Sequence, residues 1–353
     1  MTHSQPLLGV ELSGTGTHPA SWRRADSRAE ELFTAGYWLD AIRAAEAAGL
    51  DLAFLPDSFA PQEAGAIGRL EAVGIAARAA AATRRIGLIP QAPVTHTEPF
   101  HLSKAIASLD FATHGRAGWE VTVSAGQAAL FGRKAEQDPA ARWREADEAV
   151  EVVTRLWDSW EDDAEIRDLS TGRFLDRDKL HYIDFVGENF SVKGPSITPR
   201  PPQGQPLVAV RAEDEHSTRV AVERADLIRV STPDPQGARR IREELRAAIA
   251  AAGRDPELVS VLIDIEVHLA ASEQAAADEL AQLEAWTATK PETLRHIGTP
   301  ASLRALLAEL PADGVVLRPL ALPAFVAQLP QLAPTLRDRL GLPRPVNRYA
   351  LTA

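Results

Sequence analysis

The chain has 353 residues, 45% of them hydrophobic, and a formal net charge of −11; that length suits two average domains or one large α/β barrel. The acidic balance argues against a nucleic-acid partner, and the lack of cysteine excludes disulfides, a thiol nucleophile and a thiolate metal site. The start, Met1 to Pro6, has no signal-peptide pattern, and no apolar run nears the ~18 residues of a membrane helix, so a soluble cytoplasmic protein without a membrane partner is expected.

The apolar run Leu7 to Leu12 predicts a buried first strand, and Ser13-Gly14-Thr15-Gly16 opens a loop that runs through His18 to Arg23. Trp38, Ala41, Ile42, Ala45 and Ala48 fall on one side of a helix over 35–48, which Gly49 closes. Leu50 to Leu55 is the second strand, followed by Pro56-Asp57-Ser58. The Ala-rich stretch 64–83 reads as a helix. Ile86 to Ile89 is the third strand, and the loop after it carries Thr95 and His96. Pro99 suits the first turn of the next helix. That helix ends in the turn Thr113-His114-Gly115-Arg116, and a strand over 117–123 then leads to Ser124.

Residues 138–160 form a long helix with Trp143, Ala146, Val150, Val153 and Trp157 on its inner side. Residues 161–205 break the alternation and read as a hairpin-containing excursion after the fourth helix. Strands then recur at 207–210, 226–231, 258–270 and 314–317, with helices at 236–252, 272–286, 301–310 and 323–340. Strand then helix, eight times, predicts an α/β fold, a TIM-type (β/α)8 barrel in one domain over 1–353. In such a barrel the C-terminal strand ends line the reaction chamber, which brings Glu120 and Ser124 forward as site candidates. Asp57, by itself, is equally a turn carboxylate.

Ser108-Leu109-Asp110, Gly115-Arg116-Ala117-Gly118-Trp119 and Ser124 resemble a run typical of the luciferase-like flavin monooxygenases, in the branch with nitrilotriacetate and dibenzothiophene-sulfone monooxygenases. His18 with Trp22-Arg23, Thr95 with Glu98-Pro99 and His101, and the run Lys179 to Pro195 extend the match. The resemblance implies a homodimer that oxygenates a small organic substrate with reduced FMN from a separate flavin reductase; a deazaflavin is a variant. It implies Asp57, Thr95, Glu120 and Ser124 beside the flavin. Trp143 and Arg211 would lie toward its phosphate, with His18, His96 and Glu120 as acid–base candidates.

Three departures bear on that chemistry. Glu120 stands where the branch has Asn, Pro139 and Trp143 replace a phosphate-holding His and Tyr, and Glu213-Asp214-Glu215 replace a Gly-Ser-Ser turn. A phosphomonoester carries about −1.5 to −2 charge. One carboxylate ~4 Å from a unit of that charge costs about 4 kcal/mol at an effective dielectric of 20, against about 8 kcal/mol for micromolar binding. A second reading therefore stands beside the first: a flavin-free barrel without cofactor, acting as a partner subunit or binding a different ligand. A metal hydrolase lacks any HxH or HExxH spacing.

Overall fold

A computed structural model describes residues 6–332. In chain order the elements are β1 (Leu7–Glu11), α1 (Ala35–Ala47), β2 (Leu52–Leu55), α2 (Ala72–Ala80), β3 (Gly87–Pro93), α3 (Pro99–Thr113), β4 (Gly118–Thr122), the short α4 (Ala128–Phe131) and α5 (Pro139–Trp157). The excursion follows as two small hairpins, β5 (Glu165–Asp168) with β6 (Arg173–Leu175) and β7 (Phe185–Val186) with β8 (Ser191–Val192). Alternation then resumes with β9 (Leu207–Arg211), α6 (Glu215–Arg224), β10 (Leu227–Val230), α7 (Pro235–Ala251), β11 (Ser260–Leu269), α8 (Glu273–Trp286), β12 (Leu294–Gly298), α9 (Pro300–Glu309), β13 (Gly314–Pro319) and α10 (Leu322–Leu332).

β10 pairs with both β9 and β11, which closes β1, β2, β3, β4, β9, β10, β11 and β13 into an eight-stranded parallel barrel. The strands are apolar on both faces because helices cover the outside. Trp143, Ala146, Val150, Val153 and Trp157 of α5 are all buried against that outer face. Inside, Leu52, Phe54, Ile89, Ala209, Leu227, Leu262 and Val316 form a separate apolar cluster. Gly118 is required by that packing: a Cβ there would lie 2.5 Å from Ile89 Cδ1 and 3.0 Å from the Leu207 carbonyl oxygen.

The elements differ from expectation in three places. The helix read over 64–83 begins only at Ala72, because Gly65 and Gly68 take φ of +86° and +105° and hold the preceding residues in a loop. The third strand continues past Ile89 to Pro93. β12 is a ninth parallel strand outside the closed barrel; it pairs with the distal half of β11, from Ile265↔Leu294 to Leu269↔Gly298. The closing helix read over 323–340 is α10 as far as Leu332, and 333–340 lie outside the described residues. Among the described residues no helix is long and apolar enough to cross a membrane.

Candidate active site

Alternate side chains of each strand point into the barrel. Above the apolar cluster the inward positions turn polar: Glu11, Gln91, Glu120, Arg229, Asp264 and Arg318, with Arg211 at the rim. Arg229 is fully buried and joins three carboxylates. One terminal nitrogen donates to both Glu120 oxygens at 2.9 and 3.2 Å, the other donates to Glu11 at 2.6 Å, and Nε and Nη2 grip Asp264 at 3.0 Å each. Its guanidinium lies 4.6 Å from the Phe54 ring centre, so the charged layer rests on the apolar one. Arg318 donates to Glu11 at 3.3 Å and Arg211 reaches Asp264 at 2.8 Å. Three arginines thus answer three buried carboxylates. Gln91 donates to Glu120 at 2.8 Å and accepts the Asp57 backbone N–H at 2.9 Å, which ties this layer to the loop after β2.

The two glutamates that share Arg229 are driven apart. Burial opposes ionisation of Glu11, but Arg229, Arg318 and Arg211 outweigh it and hold its carboxyl down at about 2. Burial dominates at Glu120, Glu11 adds like charge, and Arg229 offsets only part, so its carboxyl is pushed above the usual range. Two carboxyls driven in opposite directions within one site are a pattern suited to acid–base work.

At the rim, the Thr95 hydroxyl accepts the Ser124 N–H at 2.8 Å, and both residues are buried at adjacent strand ends. His96 stacks on Phe131 at 4.4 Å, with Phe59 edge-on to Phe131 at 4.9 Å; neither ring nitrogen of His96 has a partner. Burial lowers the pKa of His96. A cavity of about 180 Å3 beside it is lined by Thr95, His96, Arg133, Lys134, Glu145 and Phe190. His18 lies elsewhere, in the wall of a cavity of about 200 Å3 beneath the loops after β1 and β2, with Arg69 and Trp38. It is buried rather than a surface loop residue: Nδ1 accepts the Ala20 N–H at 3.1 Å, Nε2 is unpartnered 3.8 Å from Glu284, and burial lowers its pKa. Asp57 binds the Ser58 and Ala72 N–H groups at 2.7 and 2.9 Å and so anchors the start of α2. Trp143 is buried in the hydrophobic cluster on α5. Glu120 and Arg211 therefore meet in one network, through Asp264 and Arg229; Thr95, Ser124 and His96 form the neighbouring rim, and His18 belongs to a second cavity.

The acids that interrupt the expected phosphate turn have a local task. Asp214 caps α6, accepting the Ser217 N–H at 2.7 Å while the Ser217 hydroxyl accepts the Glu213 and Asp214 N–H groups at 3.0 and 2.9 Å. Those bonds outweigh the cost of burial and keep the Asp214 carboxyl below its usual range. Glu213 and Glu215 point largely to solvent, with side chains 64% and 85% exposed. Arg211 spans Asp264 and, at 3.4 Å, Glu213.

Glu11, Gln91, Arg229, Asp264 and Arg318 escaped the sequence reading. A signal was present for four of them: Gln91, Arg229, Asp264 and Arg318 share the inward parity of their strands with Ile89, Leu227, Leu262 and Val316, two residues earlier, whereas Glu11 has only Gly9 and Ser13 at those offsets.

Residues 15–315 match the family model described as luciferase-like monooxygenase. N-acetyl-S-(2-succino)cysteine monooxygenase of Bacillus subtilis (strain 168) is 35% identical over 79% of this chain and 65% of its own. Nitrilotriacetate monooxygenase component A of Aminobacter aminovorans is 32% identical over 78% and 64%. The chain thus spans slightly less than two thirds of the length of these relatives. The structure of EDTA monooxygenase from Chelativorans sp. BNC1 superposes with a TM-score of 0.81 at 24% identity, covering 96% of this chain and 98% of the other, and shares the fold. A match that runs from the first loop to the last barrel strand, on a closed parallel barrel with its polar layer at the strand ends, means that the chain belongs to the luciferase-like monooxygenase family.

Proposed function

We propose that the chain is the oxygenating component of a flavin-dependent monooxygenase. It receives reduced flavin from a separate reductase and places one atom of O2 on a small organic substrate, the other leaving as water; the assembly is a homodimer. Family membership across the whole barrel carries this reading. The flavin supplies the electron pair and activates oxygen. The chain's own residues supply the surroundings. Glu120, fully buried and bonded to Arg229 and Gln91, stands at the chamber floor with its carboxyl pushed above the usual range by burial, which suits it to proton exchange. Thr95 and Ser124 fix the rim between the β3 and β4 ends, and the apolar cluster below excludes water.

The flavin-free alternative rested on uncompensated acids. Glu120 is answered by Arg229, and Glu213 and Glu215 face solvent. The test is rapid mixing of the chain and reduced flavin, prepared without oxygen, with aerated buffer. Reoxidation with kinetics distinct from those of free flavin supports the proposal. Traces superimposable on free flavin, even at millimolar protein, would end it.

A further inference from the structure

The flavin half of FMN and its phosphate half are not equally well served by this chain. A phosphate is held where bare backbone N–H groups or unpaired cations converge. On the face of the barrel where the strands end, the chain's own carboxylates already occupy such places. Asp214 takes the amide at the start of α6, Asp138 that of Ala141 in α5 at 2.7 Å, Asp234 that of Gly237 in α7 at 2.7 Å, and Asp57 that of Ala72 in α2. Glu136 repeats the pattern in a loop: its carboxylate accepts the N–H groups of Gly126 and Ala128 at 2.9 and 3.2 Å, which holds it below the usual range. Pro139 leaves the first turn of α5 one N–H short.

The cations near these places are engaged too. Arg133 pairs with Glu98 at 2.6 Å, Lys134 with Glu145, Arg142 with Glu136 at 3.2 Å, and Arg211 with Asp264 at 2.8 Å. Arg69, in the wall of the His18 cavity, has a buried Nε without a hydrogen-bond partner, as do Arg142 and Arg211, whose terminal nitrogens are the ones held by carboxylates; Arg69 stands on the loop after β2. A dianionic phosphate arriving at the starts of α5 or α6 displaces a carboxylate from its amides or sits beside it unanswered. A ribityl chain ending in a hydroxyl does neither.

We infer that the flavin taken by this chain is bound without a grip on phosphate, so that riboflavin binds at least as tightly as FMN. The inference rests on the proposed flavin dependence and narrows it to a cofactor with an uncharged tail. The preference is carried by this chain's own residues, Asp214 at the start of α6 and Glu136 in the loop before α5.

The full chain is titrated, without oxygen, with reduced riboflavin and separately with reduced FMN, binding being read by calorimetry. A riboflavin Kd equal to or below that for FMN supports the inference. FMN binding more tightly than riboflavin overturns it while leaving flavin dependence intact, and binding of neither at millimolar concentration overturns both. The triple variant Glu213→Gly, Asp214→Ser, Glu215→Ser, checked for native circular dichroism, gains at least tenfold in FMN affinity and stays within about twofold for riboflavin. Unchanged FMN affinity in the folded variant counts against the inference. Glu136→Gln, which leaves the Asp138, Asp214 and Asp234 caps intact, gives the same comparison should the triple variant not fold, with at least a threefold gain for FMN expected and no gain overturning it.

Discussion

Arg229 meets three carboxylates and is fully buried. Removing it leaves Glu11, Glu120 and Asp264 facing one another in a dry interior. Truncating one side of a buried ion cluster costs about 3–5 kcal/mol. Arg229→Met therefore unfolds at a urea concentration lowered to match, whereas Arg224→Met, on a pair 24–30% exposed to solvent, shifts it far less. Glu120 and Glu11 also set opposite pH slopes. A carboxyl raised in the folded state lends stability that is full below its unfolded value, 4.5, and is lost as pH climbs through the folded value. Glu11, held near 2, lends stability that is present above 4.5 and lost on acidification toward 2. Glu120→Gln deletes the first slope only. Unfolding free energies of the two proteins, measured from about pH 4 upward, should diverge in favour of the variant as pH rises; a constant difference would mean that Glu120 has an ordinary pKa.

At the level of elements, Gly118 shows how tightly β4 is fitted between β3 and β9. Gly118→Ala puts a methyl group against Ile89 and the Leu207 carbonyl, an overpacking that costs ~1–3 kcal/mol and lowers the melting temperature without altering flavin selectivity. The neighbouring strands and their order were readable from apolar runs and turn residues, because each run is local. α2 misled at its start, since alanine content reports helix propensity but Gly65 and Gly68 impose left-handed backbone. β12 was invisible for a different reason: five residues pair only with the far half of β11, and nothing local specifies that register. The site divided the same way. Glu120 and Ser124 announced themselves by position at a strand end. Arg229 did not, because its partners lie 109 and 218 residues away along the chain, and only barrel closure brings them within reach.

Over the whole molecule, the net charge of −11 acts on ligands before they touch the barrel. FMN approaches against a repulsive field that is screened within about 10 Å at 0.1 M salt. Its association rate should therefore rise when salt is raised from roughly 10 mM to roughly 0.3 M, while that of neutral riboflavin stays flat; stopped-flow fluorescence separates the two. A rate for FMN that falls with salt would reveal a positive path to the chamber that outweighs the overall charge.

The arginine knot at the barrel's heart also constrains descent. A single replacement at 229 strands three acids, and a single neutral replacement at 11, 120 or 264 leaves the three arginines one counter-charge short. Drift at these four positions is therefore expected to travel as a set, so that homologous lineages keep all of them or exchange them together for an uncharged filling, a pattern of joint inheritance that pairwise comparison of related genes can read directly.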